Sequence, residues 1–391
     1  MLKGMKYRIY PTNSQKDLIA KHIGSSRFVY NLALETKNTA YLGSKHNFSP
    51  FDLIKQLPEL KKECEWLKEV NSQSLQQAIQ NMDIAFKKFF KGSGFPKFKS
   101  KHKGKQSFAV PQNVIVENNL LIIPKFKKGI EIVLHRPVNG TIKSAVISVT
   151  PTGKYFASIL VDANTEIPSK APIKENDCIG IDLGIKDFVI TSDGEVFENP
   201  KHLRKAQSKL KYIQRKYSKN KGNRTKQRLA LLHEKVVNKR KDFLHKVSTK
   251  LIRENQTICL ENLGVSNMVK NHNLAQAITD VSWSTFVSML GYKADWYGKN
   301  VLKIGRWSPS SKTCNCCGHI NRELTLKDRL WTCPKCNSVL NRDLNASINI
   351  KSFALKNHLS GEHTLKNQDE LPRLRGVLTP EAHPIAFGVG G

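Results

Sequence analysis

A chain of 391 residues, 39% of them apolar, is long enough for two or three domains with buried cores and too apolar to be disordered throughout. Its 64 Lys and Arg against 32 Asp and Glu leave a net charge of +32, which fits a polyanionic partner, either nucleic acid or an anionic membrane surface. No apolar run approaches a membrane span, the basic N-terminus lacks a signal peptide's apolar stretch, and the cysteines are not spaced as a secreted disulfide framework. The expectation is a soluble protein of a reducing compartment, with no membrane partner.

Residues 5–11 read as a short strand, followed by helical periodicity over 14–34, 51–62 and 72–91. In the last of these, Leu75, Ile79, Met82, Ala85, Phe86 and Phe89 repeat on one face. The pattern breaks at Gly92-Ser-Gly-Phe-Pro96, and 97–105 is a basic loop without an acid. Short β-branched runs at 114–116, 120–123, 130–134, 144–149 and 155–161 predict a small β-barrel or meander. Residues 163–176, with Pro168 and Pro172, read as a linker. The second half opens with strands at 178–185 and 187–191. Residues 201–253 form one or two long helices, and Leu229, Leu232, Val236, Phe243, Val247 and Leu251 predict a hairpin packed along one seam. A strand at 257–260, a helix at 283–297, a strand at 301–304, a cysteine segment and a helix near 344–356 follow. Residues 360–391 are rich in Gly and Pro without periodicity and are expected to be disordered.

The pairs Cys314-x2-Cys317 and Cys333-x2-Cys336, with fifteen residues between them, match a four-thiolate zinc ribbon. Two-residue gaps let adjacent thiolates converge on one tetrahedral ion. Gly318 and Pro334 supply the knuckle turns, residues 326–332 the ribbon strands, and Cys316 falls out of register. A zinc held by four protein ligands contributes folding energy and performs no chemistry.

Two apolar runs end in a carboxylate, Cys178-Ile-Gly-Ile-Asp182 and Thr257-Ile-Cys-Leu-Glu261, and a third acid lies in Asn341-Arg-Asp343-Leu-Asn-Ala. A desolvated carboxylate at a strand end needs a cationic partner, and magnesium favours such oxygen donors. Each acid alone is equally well a satisfied turn residue or helix cap. Together they follow the order of an RNase H-like fold, in which Asp182, Glu261 and Asp343 would bind two magnesium ions and hydrolyse a phosphodiester. Arg342 beside the third acid would hold the scissile phosphate or fix Asp343, with helix-start polarity as the alternative. Asp280 reads as a helix cap, Asp187 and Asp193 as turn residues.

Residues 201–250 carry eighteen Lys or Arg against Glu234 and Asp242, too lopsided for an ordinary solvated face. Residues 87–105 add eight lysines interleaved with Phe89, Phe90, Phe95 and Phe98. Lysine among aromatics suits phosphate contact with base stacking, which makes Phe95, Lys97 and Lys99 candidate nucleic-acid contacts, while packing in the core is the alternative for the phenylalanines.

The motifs Met5-Lys-Tyr-Arg-Ile-Tyr-Pro-Thr, Ser26-Arg-Phe-Val-Tyr-Asn31, Gly94-Phe-Pro-Lys-Phe-Lys99, Gly180-Ile-Asp-Leu-Gly-Ile-Lys186, Ser310-Ser-Lys-Thr-Cys314 and Asn341-Arg-Asp-Leu-Asn-Ala346 together resemble TnpB, the transposon-encoded family related to type V CRISPR effectors, to about residue 357. The resemblance implies an RNA-guided DNA endonuclease with a guide RNA from the transposon end and a double-stranded DNA target beside a short motif. It implies an α+β multidomain fold: a wedge β-barrel (1–12 and 100–165), an inserted helical recognition lobe (13–99), an RNase H-like (RuvC) α/β nuclease (176–309 and 339–358), an inserted zinc ribbon (310–338) and a tail (359–391). It carries the catalytic and magnesium-binding roles onto Asp182, Glu261 and Asp343, zinc ligation onto the four paired cysteines, and reading of the adjacent motif onto Gln76. Ser72 stands where some relatives have a basic residue and Asn341 where many have Asp, so the motif preferred here would differ while the acid trio stays whole. Such proteins act in the prokaryotic cytoplasm, at the nucleoid when bound to DNA. A transposase with the same acid trio, or a guided DNA-binding repressor that does not cut, are the competing expectations.

Overall fold

The computed structural model describes residues 1–360 apart from Leu326, so the expected disorder of 361–391 lies outside the described residues. The chain forms two compact units, Met1–Thr165 and a second that starts at Glu166.

In the first unit, strand β1 (Leu2–Tyr10) sinks Tyr7 and Ile9 and leads into helix α1 (Asn13–Ser44). Thr12 caps that helix reciprocally with Gln15, each side chain accepting the other's backbone N–H. The helix outruns the periodicity over 14–34 because its last turns are exposed, Leu42 at 76%, and exposed turns carry no apolar stripe. The expected helix over 51–62 is two pieces, α2 (Pro50–Lys55) and α3 (Leu57–Glu63). Pro58, in the first turn of α3, has no N–H with which to continue α2. Helix α4 (Ser72–Phe89) closes the group, and its buried Leu75, Ile79, Met82 and Phe86 pack with Val29, Leu34, Leu53 and Leu67. Buried His22 ties α1 to α4, its Nδ1 paired with the Leu18 carbonyl at 2.8 Å and its Nε2 accepting the Asn71 N–H at 3.0 Å. Burial lowers its pKa and keeps the ring neutral, as an acceptor at Nε2 requires.

Strands β2 (Gln106–Val110), β3 (Ile115–Glu117), β4 (Leu120–Ile123), β5 (Phe126–Val133), β6 (Thr141–Val149) and β7 (Tyr155–Asp162) complete one antiparallel sheet, ordered β2-β6-β7-β1-β5-β4-β3. The first strand therefore lies in the middle of a sheet whose other strands come after four helices. The described pairings leave β2 and β3 as ends, so the element is a seven-stranded sheet and not a hydrogen-bonded closed barrel.

In the second unit, β8 (Cys178–Leu183), β9 (Asp187–Thr191) and β10 (Val196–Glu198) run antiparallel. Helices α5 (His202–Lys219) and α6 (Asn223–Glu254) form the expected hairpin. Val236, Val247 and Leu251 of the seam are buried, while Leu229, Leu232 and Phe243 are half-buried. Strand β11 (Thr257–Glu261) returns beside β8, parallel to it. Helices α7 (Val265–Met268), α8 (His272–Val281) and α9 (Trp283–Tyr297) lead to β12 (Asn300–Ile304), parallel to β11. The order β10-β9-β8-β11-β12, an antiparallel three-strand start followed by two parallel strands, is the RNase H-like arrangement. Strands β13 (Leu330–Thr332) and β14 (Val339–Asn341) form the ribbon, and helix α10 (Arg342–Leu359) follows at once.

Helix α10 lies directly on β8, because a Cβ added at Gly180 would stand 2.0 Å from the Ser347 carbonyl oxygen. Asp280 is a cap, as expected, but of α5 and not of the helix that follows it. Its carboxylate accepts from the N–H groups of Leu203 and Arg204 and pairs with Arg240 at 3.2 Å.

Lys293 of α9 is only 6% exposed and donates to the His245 carbonyl and to the Ser248 and Thr249 hydroxyls of α6. Burial lowers its pKa from the usual lysine value to about 8. Since the unfolded chain holds this proton more tightly, stability should rise as pH climbs from about 8 to about 10.4. Thermal unfolding at pH 7.5 and 9.5 checks this, with Lys293→Met flattening the rise.

Candidate metal and nucleic-acid site

The four paired cysteines converge, all four sulfurs within 4.8 Å of one another. Cys314 and Cys336 are 3.6 Å apart, as are Cys317 and Cys333. A tetrahedral ion with ~2.3 Å metal–sulfur bonds has its sulfurs about 3.8 Å apart, so the cage fits zinc. Burial pushes the Cys314 thiol up to about 12, so thiolates gathered here need a cation. Two matching knuckles build the cage. Gly318 at φ 73° returns its N–H to the Cys314 carbonyl, and Asn337 at φ 58° does the same to Cys333. The second left-handed residue is Asn337, which closes the knuckle that Pro334 opens. Leu324, Trp331 and Leu340 form the ribbon's small core, and Cys316 points outside the cage, exposed.

The three acids come from different elements of the same unit. Asp182 lies in β8, Glu261 ends β11, and Asp343 stands in the first turn of α10. Pairing of Leu260 with Ile181 sets Glu261 one residue on, level with Asp182. The carboxylates sense one another. Asp182 is pushed up to about 7, first by burial and then by the charges of Glu261 and Asp343, with Arg342 opposing. Among the described residues, the four thiols and not these acids form a group spaced to hold an ion. Two of the acids have partners of their own. Glu261 accepts a hydrogen bond from the Ser310 hydroxyl. Asp343 is held at both oxygens by Arg329 of the ribbon, at 3.1 and 2.9 Å. A carboxyl raised first by burial and then by two like charges suits divalent cations, and the all-oxygen donor set fits magnesium.

Arg342 does not fix Asp343. Its guanidinium donates to the Thr325 carbonyl at 3.2 Å, and Arg329 takes the role suggested for it. Nothing in the spacing singled out Arg329, fourteen residues before its partner and just ahead of β13. Asn341 caps α10, accepting from the N–H groups of Asp343 and Leu344.

Asn345, which flanks the third acid in the sequence, was given no role there and Asn349 escaped the reading; both are buried on the same helix. Asn349 donates to the carbonyls of Ser310 and Thr313, and Asn345 donates to Thr313 while accepting from the Asn315 N–H. These bonds staple the approach to the first knuckle onto the helix that bears Asp343. Asparagines on an apolar face were the available signal. Asn349→Ala should strand the Ser310 carbonyl, since Thr313 keeps Asn345 as a donor, and cost about 1–3 kcal/mol, read as a lowered unfolding midpoint and earlier zinc release on heating.

The other candidates lie in the first unit. Gln76 is half-buried on α4. Phe95, 48% exposed, packs edge-on against Phe86 and Phe89, so it is partly core. Lys97 is exposed. Lys99 is pinned by Asn31 at both its backbone N–H and carbonyl, and its ammonium lies 3.8 Å from the centre of the Tyr30 ring. Desolvation of the ammonium lowers its pKa to about 8, while the residue as a whole stays exposed. No helix among the described residues is long and apolar enough to cross a membrane.

Comparison with known proteins gives three family models. One described as "Probable transposase" matches residues 158–272, one described as "Cas12f1-like, TNB domain" matches 283–350, and a "Helix-turn-helix domain" matches 1–45. Over the last stretch the structure has one strand and a single long helix. Two curated relatives are named "Putative RNA-guided DNA endonuclease". One, from Streptomyces pristinaespiralis, is 38% identical over 99% of this chain and 98% of its own length. The other, InsQ of Escherichia coli, is 30% identical over 89% of this chain and 91% of its own. A "TnpB-like protein" of Acanthamoeba polyphaga mimivirus is 28% identical over 48% of this chain and 39% of its own length. A solved Cas12f1–sgRNA–target DNA complex covers 90% of this chain and 99% of its own at 17% identity and a TM-score of 0.37, too weak a likeness to argue from.

Proposed function

The chain belongs to the TnpB family, and from that premise we propose that it is an RNA-guided endonuclease that cuts double-stranded DNA by metal-assisted phosphodiester hydrolysis. The observation that carries this reading is geometric: the β8–β11 register sets Glu261 level with Asp182, and the helix that bears Asp343 lies directly on β8. Asp182, Glu261 and Asp343 would hold two magnesium ions, which supply an activated water and stabilisation of the leaving oxygen. The protein's own part is to aim these carboxylates. Ser310 orients Glu261, Asn341 fixes the first turn beneath Asp343, and Arg329 carries a positive charge to the same place. The four-cysteine cage would hold a structural zinc, and the segment 310–338 that carries it would be the ribbon inserted in the nuclease.

In this reading the seven-stranded sheet is the wedge, α1–α4 are the recognition lobe, and the sheet that bears the acids is the nuclease. Guide RNA would come from the transposon end. Gln76 would help read the motif beside the target, and the basic hairpin α5–α6 would follow nucleic-acid backbone.

The deciding experiment incubates purified protein, prepared with and without co-expressed transposon-end RNA, with a plasmid that matches the guide. Cutting that needs both RNA and magnesium is the expected result. Cutting or joining of transposon ends without RNA would turn the reading to a transposase, and guided binding without cutting would turn it to a repressor.

A further inference from the structure

Trp307 is the most exposed large apolar side chain among the described residues, at 88%. A ring of that size left in water forgoes much of what burial would contribute, so its position needs a reason. It does not hang on a loose loop. The turn that carries it is closed by the Ser308 N–H on the Gly305 carbonyl at 3.2 Å. Upstream, β12 ends at Ile304, which pairs in register with Glu261. Downstream, Ser310 donates its hydroxyl to Glu261 and its carbonyl accepts from buried Asn349. The indole is therefore held three residues from each of two points that touch the same acid.

The charge around it has one sign. Lys303 and Arg306 on the same segment are exposed. Arg306 fits over Gly264, where an added Cβ would stand 3.0 Å from its Cζ, so the guanidinium is seated beside the loop that leaves Glu261. An exposed ring on a fixed turn, with two cations on the same segment, suits an unpaired nucleobase, whose face stacks while its phosphates meet the cations. A paired base offers its faces only to its neighbours in the stack.

We propose that Trp307 is a stacking platform for an unpaired base of the strand entering the acid site. This rests on the nuclease reading and deepens it: the substrate presented for hydrolysis is single-stranded at that point.

The test uses the full-length protein with its guide RNA and a matched DNA carrying 5-iododeoxyuridine along each strand. Ultraviolet cross-linking followed by peptide mapping should place an adduct on Trp307. Trp307→Ala should slow cutting about tenfold, mainly through a lowered kcat, with guide RNA, zinc content and target binding retained. Trp307→Phe should recover most of the rate, because a phenyl ring still stacks. Trp307→Ala cutting at the parent rate, a Phe variant as slow as Ala, or a cutting complex with no adduct at 307 would each overturn the proposal. Should the parent complex cut no DNA at all, the nuclease reading falls separately. Cross-linking to an iodinated oligothymidylate then decides Trp307 alone: an adduct there supports stacking, and its absence ends it.

Discussion

Asp182→Asn should remove DNA cutting by at least about a thousandfold and, in the absence of metal, make the protein more stable. Loss of one metal-binding carboxylate removes several kcal/mol of transition-state stabilisation, and each 1.36 kcal/mol is about tenfold in rate. The stability effect follows from linkage. The folded protein holds the Asp182 proton up to about pH 7, against about 3.9 in an unfolded chain. Ionising it therefore costs stability, a cost absent below about pH 4 and complete above about pH 7. Discounted for its partial exposure, that is on the order of 1–3 kcal/mol. Denaturation in chelator at pH 5 and pH 8 should show parent stability falling with pH and the Asn variant nearly flat. Magnesium should restore the parent selectively at the higher pH. Residual cutting by the variant near the parent rate would remove Asp182 from the proposed site, and a variant less stable than the parent would contradict its environment.

Cys333→Ser should have the other large effect, loss of the bound zinc together with loss of cutting. Zinc in small four-ligand sites supplies about 10 kcal/mol or more of folding free energy, far beyond what Leu324, Trp331 and Leu340 can provide. Without the cage, the segment that places Ser310 at Glu261 and Arg329 at Asp343 has no fixed geometry. The damage should be local, because the two main cores share no residue with the ribbon's cluster. Metal analysis should find one zinc per parent chain and none in the variant, while the main thermal transition moves little. Cys316→Ser is the control, since that thiol stands outside the cage, and it should keep both zinc and cutting. A Cys333→Ser protein that cuts normally would detach the ribbon from the chemistry.

Much of the architecture was legible because local rules agreed with the fold. Strands β8 and β11 are buried β-branched runs, and α9 begins and ends where its periodicity does. The cysteine pairs could be assigned from spacing alone, since a two-residue gap leaves thiolates little else to build. Boundaries failed where burial was absent, as in the exposed end of α1, or where one residue overrode a periodic run, as Pro58 did. The missed strands β2 and β10 are short and acquire their structure from neighbours.

The chain by itself determined which residues carry unusual chemistry: three acids at the ends of apolar elements, four thiols at knuckle spacing, and an excess of cations that nothing internal neutralises. Only the tertiary structure decided their partners. Arg329, not Arg342, holds Asp343; Ser310 holds Glu261; the Lys99 ammonium lies over Tyr30; and Asn337 closes the second knuckle. The division has a physical cause. Residue type and short spacing set what a side chain can do, whereas hydrogen bonds and desolvation depend on atoms that chain folding brings from dozens of residues away.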